Sequence, residues 1–200
     1  MSWINIISYQ QATGKLKRLY DKIKGPDDYI DSIMLVHGLR PNTLEGHMAL
    51  YKNVLHHANN EFPKWFLEAI GVYVSWLNQC DYCVEHHTIG MSKELTENES
   101  DQILRAFKSD QPELFFKDDK LAIMKYARLL TKSPEQINEA VINNLKKAGV
   151  TDGLLLEVNQ VIAYFCYANR TVLGLGVNTA NDIIGLSPGR NDESGNWHHE

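Results

Sequence analysis

Between Trp65 and Leu77 the chain is apolar almost throughout, with one carboxylate, Glu68, set inside the run. The run is shorter than the about 18 apolar residues a membrane-spanning helix needs, and it is too long for a typical strand. It reads as a helix covered on several sides, so other elements must surround it. The flanking sequence supplies helices. Ser8-Tyr9-Gln10-Gln11 has the capping-box pattern, and Leu16, Leu19, Tyr20 and Ile23 follow at helical spacing before Gly25-Pro26-Asp27-Asp28. A short helix is expected from about Ile30 to Gly38. Another begins at Pro41 and carries Leu44, Met48, Tyr51, Val54 and Leu55. Pro63 stands at the start of the apolar run.

After the run, Asn78 is positioned to cap a helix that carries Cys80, Cys83 and His87 and ends near Gly90. Thr96-Glu97-Asn98-Glu99 is a second capping box, opening a helix to about Phe107, and a further helix is expected from about Asp118 to Leu130. Ser133-Pro134-Glu135-Gln136 gives the clearest start signal, for a helix ending at Gly149. Thr151 caps the next stretch, Leu154 to Ala168. No strand alternation appears. The expectation is an all-α fold, a single helical domain over residues 1–186 followed by a polar tail at 187–200.

Composition narrows the function. Apolar residues make up 44% and charged residues 22%, enough for a packed core. A formal net charge of −5 argues against a nucleic-acid binder, which needs a basic face. Met1 to Tyr9 lacks the basic and apolar regions of a signal peptide, and a cytoplasmic location is expected. Structural disulfides are rare there. Two of the three cysteines sit as Cys80-Asp81-Tyr82-Cys83, which in a reducing compartment points to redox chemistry or metal binding.

Cys80, Cys83 and His87 share one helical face, because a helix turns about 100° per residue. Two thiols one turn apart can close a disulfide with little backbone movement. The first turn of a helix favours a thiolate, although Asp81 opposes it. His87 can exchange a proton near neutral pH. Glu68, if buried against that imidazole, would orient it.

Glu68, eleven residues, Cys80-x-x-Cys83, three residues, His87 resembles the active-site signature of the alkylhydroperoxidase D-like proteins of the carboxymuconolactone decarboxylase superfamily. The likeness is sharpest from about Glu45 to Leu130, within a core region of 45–130. The helix ending Ala168-Asn169-Arg170 is similar to the peroxidase-related branch. The resemblance implies a helical bundle that assembles as trimers or hexamers and reduces hydroperoxides through thiols, with no cofactor or metal. It implies Cys83 as the peroxidatic thiol, Cys80 as the resolving thiol, Glu68 and His87 as the proton relay, and an external lipoyl or thioredoxin-like dithiol protein as reductant. The best-known members carry a second histidine immediately before the second cysteine. Tyr82 stands there in this chain, which shortens the relay.

Other readings compete. Cys80, Cys83 and His86 or His87 offer three zinc ligands, with no evident fourth. Haem attachment fails, because Val84 follows Cys83. A lyase acting on a small lactone and a non-catalytic oligomeric redox sensor are the alternative functions. Cys166 reads as core packing, and His37, His47, His56 and His57 show no metal-site spacing.

Overall fold

A computed structural model of the chain describes residues 2–185, so the polar tail at 187–200 lies outside the described residues. Among the described residues the regular structure is helical, with no strand. The helices are α1 Gly14–Ile23, α2 Ser32–Leu35, α3 Pro41–Leu55, α4 Lys64–Leu77, α5 Asp81–Ser92, α6 Glu97–Lys108, α7 Asp118–Lys132, α8 Glu139–Lys147 and α9 Asp152–Leu175. None is long and apolar enough to cross a membrane.

The described residues form two compact units. The first comprises residues 2–50 and 171–185. There the Trp3 N–H donates to the Leu175 carbonyl (2.8 Å), and the Asp182 carboxylate accepts from the Ser32 hydroxyl and the Ser32 N–H. The buried imidazoles of His37 and His47 lie 5.0 Å apart.

The second unit, Tyr51–Arg170, contains the cysteine pair. Its centre is α4, in which Phe66 to Ser75 are all buried. Helices α5, α6 and α7 pack around it, and α8 packs on α7. The apolar run therefore behaves as its composition requires, covered on several sides. Gly71 lets Phe165 of α9 approach: a Cβ there would stand 2.1 Å from the ring. The Lys132 ammonium donates to the Leu77 carbonyl, one of the orphan groups at the end of α4.

Several sequence signals are realised directly. Thr96 and Glu99 form the reciprocal capping box that opens α6, at 3.3 and 2.9 Å. The Thr151 hydroxyl accepts from the Leu154 N–H (3.2 Å) at the start of α9. Others act differently. Ser8 and Gln11 make both capping bonds, but they close a turn, and α1 begins only after it. Ser133-Pro134-Glu135-Gln136 likewise forms a single 3₁₀ turn, Pro134–Gln136. Ile137 is extended (ψ 125°), so the helix restarts with Asn138 as its cap.

Candidate active site

Only Asn78, Gln79 and Cys80 separate α4 from α5. Gln79 adopts a left-handed conformation, φ 57°, and reverses the chain. The Cys80 N–H then donates to the Ser75 carbonyl (2.9 Å). This geometry corrects the expected role of Asn78. It closes α4 rather than capping α5, and its side chain turns inward to donate to Asn169 Oδ1 (3.0 Å). Cys80 takes the N-cap position of α5, and Cys83 lies in the first turn.

Both thiols are free and buried, Cys80 at 0% and Cys83 at 2% exposure. The Cys83 thiol donates toward Cys80 and holds the Cys80 pKa below its usual value. Burial opposes this, and Asp81 opposes it weakly. The Cys83 N–H and the Asn169 side chain assist it, although no N–H of α5 completes a standard cap bond with the Cys80 side chain. The pairing with Cys80 and burial push the Cys83 thiol well up, against Asn169 and Ser75. Of the two sulfurs, Cys80 therefore gives up its proton more readily and Cys83 less readily.

Glu68, on α4, is 1% exposed. Its carboxylate accepts from His87 Nδ1 at 2.6 Å. Burial alone would raise the Glu68 pKa, but the charge and hydrogen bond of His87, with His56 and Lys64, bring it below the ordinary carboxylate value. Gly90 of α5 makes room: a Cβ there would meet Glu68 Oε1 at 2.9 Å. The Phe165 ring stands edge-on to the His87 imidazole, centroids 4.6 Å apart. Of Glu68, Cys80, Cys83 and His87, only the His87 side chain reaches solvent appreciably, at 16%.

The structure thus brings Glu68 directly onto His87 and Cys80 onto Cys83, all on the α4–α5 hairpin. Among the described residues, the ligand atoms of Cys80, Cys83 and His86 or His87 do not gather within the 4.8 Å reach of one ion. Tyr82 is buried and lies against the His86 ring, centroids 4.5 Å apart. Three further residues stand near the site and lie outside the signature. His56, with a buried Nε2 that lacks a hydrogen bond, is held neutral down to about 4 by burial, with Lys64 and His87 adding to the effect. Tyr164 is buried, and its phenol is pushed well up by burial, with Tyr51, Cys83 and Glu68 nearby. Asn169 of α9 is 0% exposed; its side chain accepts from Asn78 and donates to Ser75, and it favours the charged form of both thiols.

No family model and no curated protein matches the chain. Solved structures do. A peroxidase-related protein of Ralstonia eutropha JMP134, with an alkylhydroperoxidase AhpD core, is 19% identical, covers 90% of this chain and 93% of its own, and superposes with a TM-score of 0.76. A peroxidase-related protein of Silicibacter sp. TM1040 is 16% identical over 88% of this chain and 90% of its own, with a TM-score of 0.70. The debrominase Bmp8, as a cysteine-to-alanine variant in complex with 2,3,4-tribromopyrrole, is 16% identical over 90% and 95%, also at 0.70. The chain therefore has the all-helical fold of the alkylhydroperoxidase D-like, peroxidase-related proteins.

Proposed function

We propose that the protein is a thiol-dependent oxidoreductase that reduces hydroperoxides through a Cys80/Cys83 dithiol–disulfide cycle. The carrying observation is the direct 2.6 Å contact between buried Glu68 and His87, on the same helical hairpin as the two buried thiols. In the cycle, the Cys83 proton first passes to the Cys80 thiolate across the contact between the sulfurs. The Cys83 thiolate attacks the terminal peroxide oxygen, an S–O bond forms and the O–O bond breaks. The leaving alkoxide takes a proton through His87, which Glu68 holds in place. Cys80 then attacks the sulfenic acid, the S–S bond forms and water leaves. Two electrons from an external lipoyl or thioredoxin-like dithiol restore the pair.

No metal or other cofactor enters this scheme. We place the protein in the cytoplasm as a homo-oligomer, trimeric or hexameric. Trp76, Leu114, Leu156 and Tyr167 of the second unit are exposed large side chains available for burial between copies. Stopped-flow peroxide consumption with a dithiol donor tests the function. Cys83→Ser is expected to abolish turnover, and equal rates for the two proteins would end the proposal.

The likeness to the debrominase supports a second reading, in which the same two thiol electrons replace a carbon–bromine bond by carbon–hydrogen and release bromide. Bromide release from a brominated pyrrole, lost in Cys80→Ser and Cys83→Ser, would favour it. Turnover of a lactone that survives both substitutions together would favour a lyase.

A further inference from the structure

We propose that Phe165 of α9 is a positioning residue for His87: its ring, seated in the gap that Gly71 leaves on α4, stands edge-on to the imidazole and fixes the plane in which Glu68 holds it. The proposal deepens the relay reading above, and it rests on that reading only for its consequence in turnover.

A hydrogen bond to one ring nitrogen does not by itself fix an imidazole. The torsion that turns a histidine ring about its Cβ–Cγ bond has only a broad preference. A ring tied at Nδ1 alone can rock, and it carries Nε2 with it. The 2.6 Å bond between Nδ1 and Glu68 Oε2 anchors one atom of His87. The side chain is also 16% exposed, so part of it meets water, which gives no rigid wall. A second, rigid surface is needed, and Phe165 supplies one. Its ring centroid lies 4.6 Å from that of His87, with the two planes 83° apart. That is the geometry of an edge-to-face aromatic pair.

Phe165 is in turn held from its other side. It is 0% exposed, and a Cβ at Gly71 would overlap its Cε1, Cε2 and Cζ atoms. The far end of the ring therefore rests where α4 has no side chain, and any side chain at that position would unseat it. Gly71 lies three residues after Glu68, so the two share a face of α4. Helix α4 thus holds the imidazole twice: directly through the Glu68 carboxylate, and indirectly through the ring lodged at Gly71. Two glycines make the room, Gly90 of α5 for the carboxylate and Gly71 of α4 for the ring.

The test compares Phe165→Leu with Gly71→Ala/Phe165→Leu in the full chain. The first removes the aromatic wall and leaves a gap. The second returns a methyl group to that gap without restoring the wall. Two readouts are followed: exchange of the His87 Nδ1 proton with water by NMR, and peroxide turnover with a dithiol donor. Exchange should quicken at least about tenfold in both variants, and kcat should fall about tenfold with KM within about twofold, because a misplaced proton donor slows the chemical step. Tm should recover in the double variant while neither readout does. Parental exchange in Phe165→Leu, or a double variant that regains parental exchange together with its Tm, overturns the proposal, since the ring would then only fill space.

Should neither variant fold, the unmodified protein decides. NMR relaxation of the imidazole C–H groups should give order parameters near the about 0.85 of rigid backbone, and values below about 0.6 refute a clamped ring. Exchange and relaxation need no peroxide. An unmodified protein with a clamped imidazole that consumes no peroxide would sink the peroxidase reading alone.

Discussion

Replacing Gly90 by alanine should destabilise the protein, although helix propensity alone says the reverse. Alanine is the better helix former by about 1 kcal/mol, and Gly90 lies inside α5. In the fold, however, a Cβ at this position would stand 2.9 Å from Glu68 Oε1, 3.0 Å from Cδ and 3.3 Å from Oε2. The carboxylate cannot swing away freely: it is buried, and its Oε2 is 2.6 Å from His87 Nδ1. Overpacking of this kind costs about 1–3 kcal/mol, and weakening a hydrogen bond to a charged carboxylate costs part of a further about 1.5–3 kcal/mol. Against the propensity gain, the net effect of Gly90→Ala is a loss of about 2 kcal/mol. For a chain of this size that lowers Tm by about 4–8 °C.

Urea denaturation of Gly90→Ala, Glu68→Ala and the double variant measures it. In the Glu68→Ala background the carboxylate is gone, so the second substitution should regain its favourable sign, with a coupling above about 1 kcal/mol. Peroxide turnover should fall in Gly90→Ala, because the imidazole loses its fixed partner. A Gly90→Ala protein as stable as the parent, with turnover unchanged, would show that the carboxylate is not clamped.

Other outcomes follow from the same packing. Gly71→Ala would drive a Cβ to 2.1 Å from the Phe165 ring; a loss of about 3 kcal/mol or more is expected in the same denaturation assay. Acid should weaken the fold through His56. Its imidazole takes a proton below pH 6.5 when unfolded, but burial, with Lys64 and His87 nearby, keeps it neutral down to about 4 in the fold. The unfolded state then binds more protons across that window, so stability falls as pH drops from 6.5 toward 4. Urea midpoints from about pH 7 to about pH 4.5 should fall less steeply in His56→Gln; an identical slope would refute the assignment.

What the sequence made legible was local. The Thr96 box, the Pro41 start of α3 and the apolar run of α4 all act within a few residues, and they appear where read. The partnership of Glu68 with His87 was legible because both lie on one helical hairpin at fixed spacing. Asn78 was misread because its polar side chain suits a cap, whereas Gln79 at φ 57° places it at the end of α4, facing Asn169. Nothing near Ser133 announced that Ile137 would be extended and interrupt the helix after one turn. Asn169 meets Asn78 and Ser75 from α9, far along the chain, and a single sequence carries no spacing rule for such tertiary neighbours. His56 gave no signal either, since the His56-His57 pair at a helix end has no metal-site spacing.

The joint between α4 and α5 has no slack. Three residues, one of them in a left-handed conformation, set the rotational phase of one helix against the other. Adding a single residue there would break that register between the two helices. His87 would then sweep away from the carboxylate that holds it, and Gly90 would no longer offer its gap. The cysteine joint is therefore the part of the hairpin whose length the site can least afford to change.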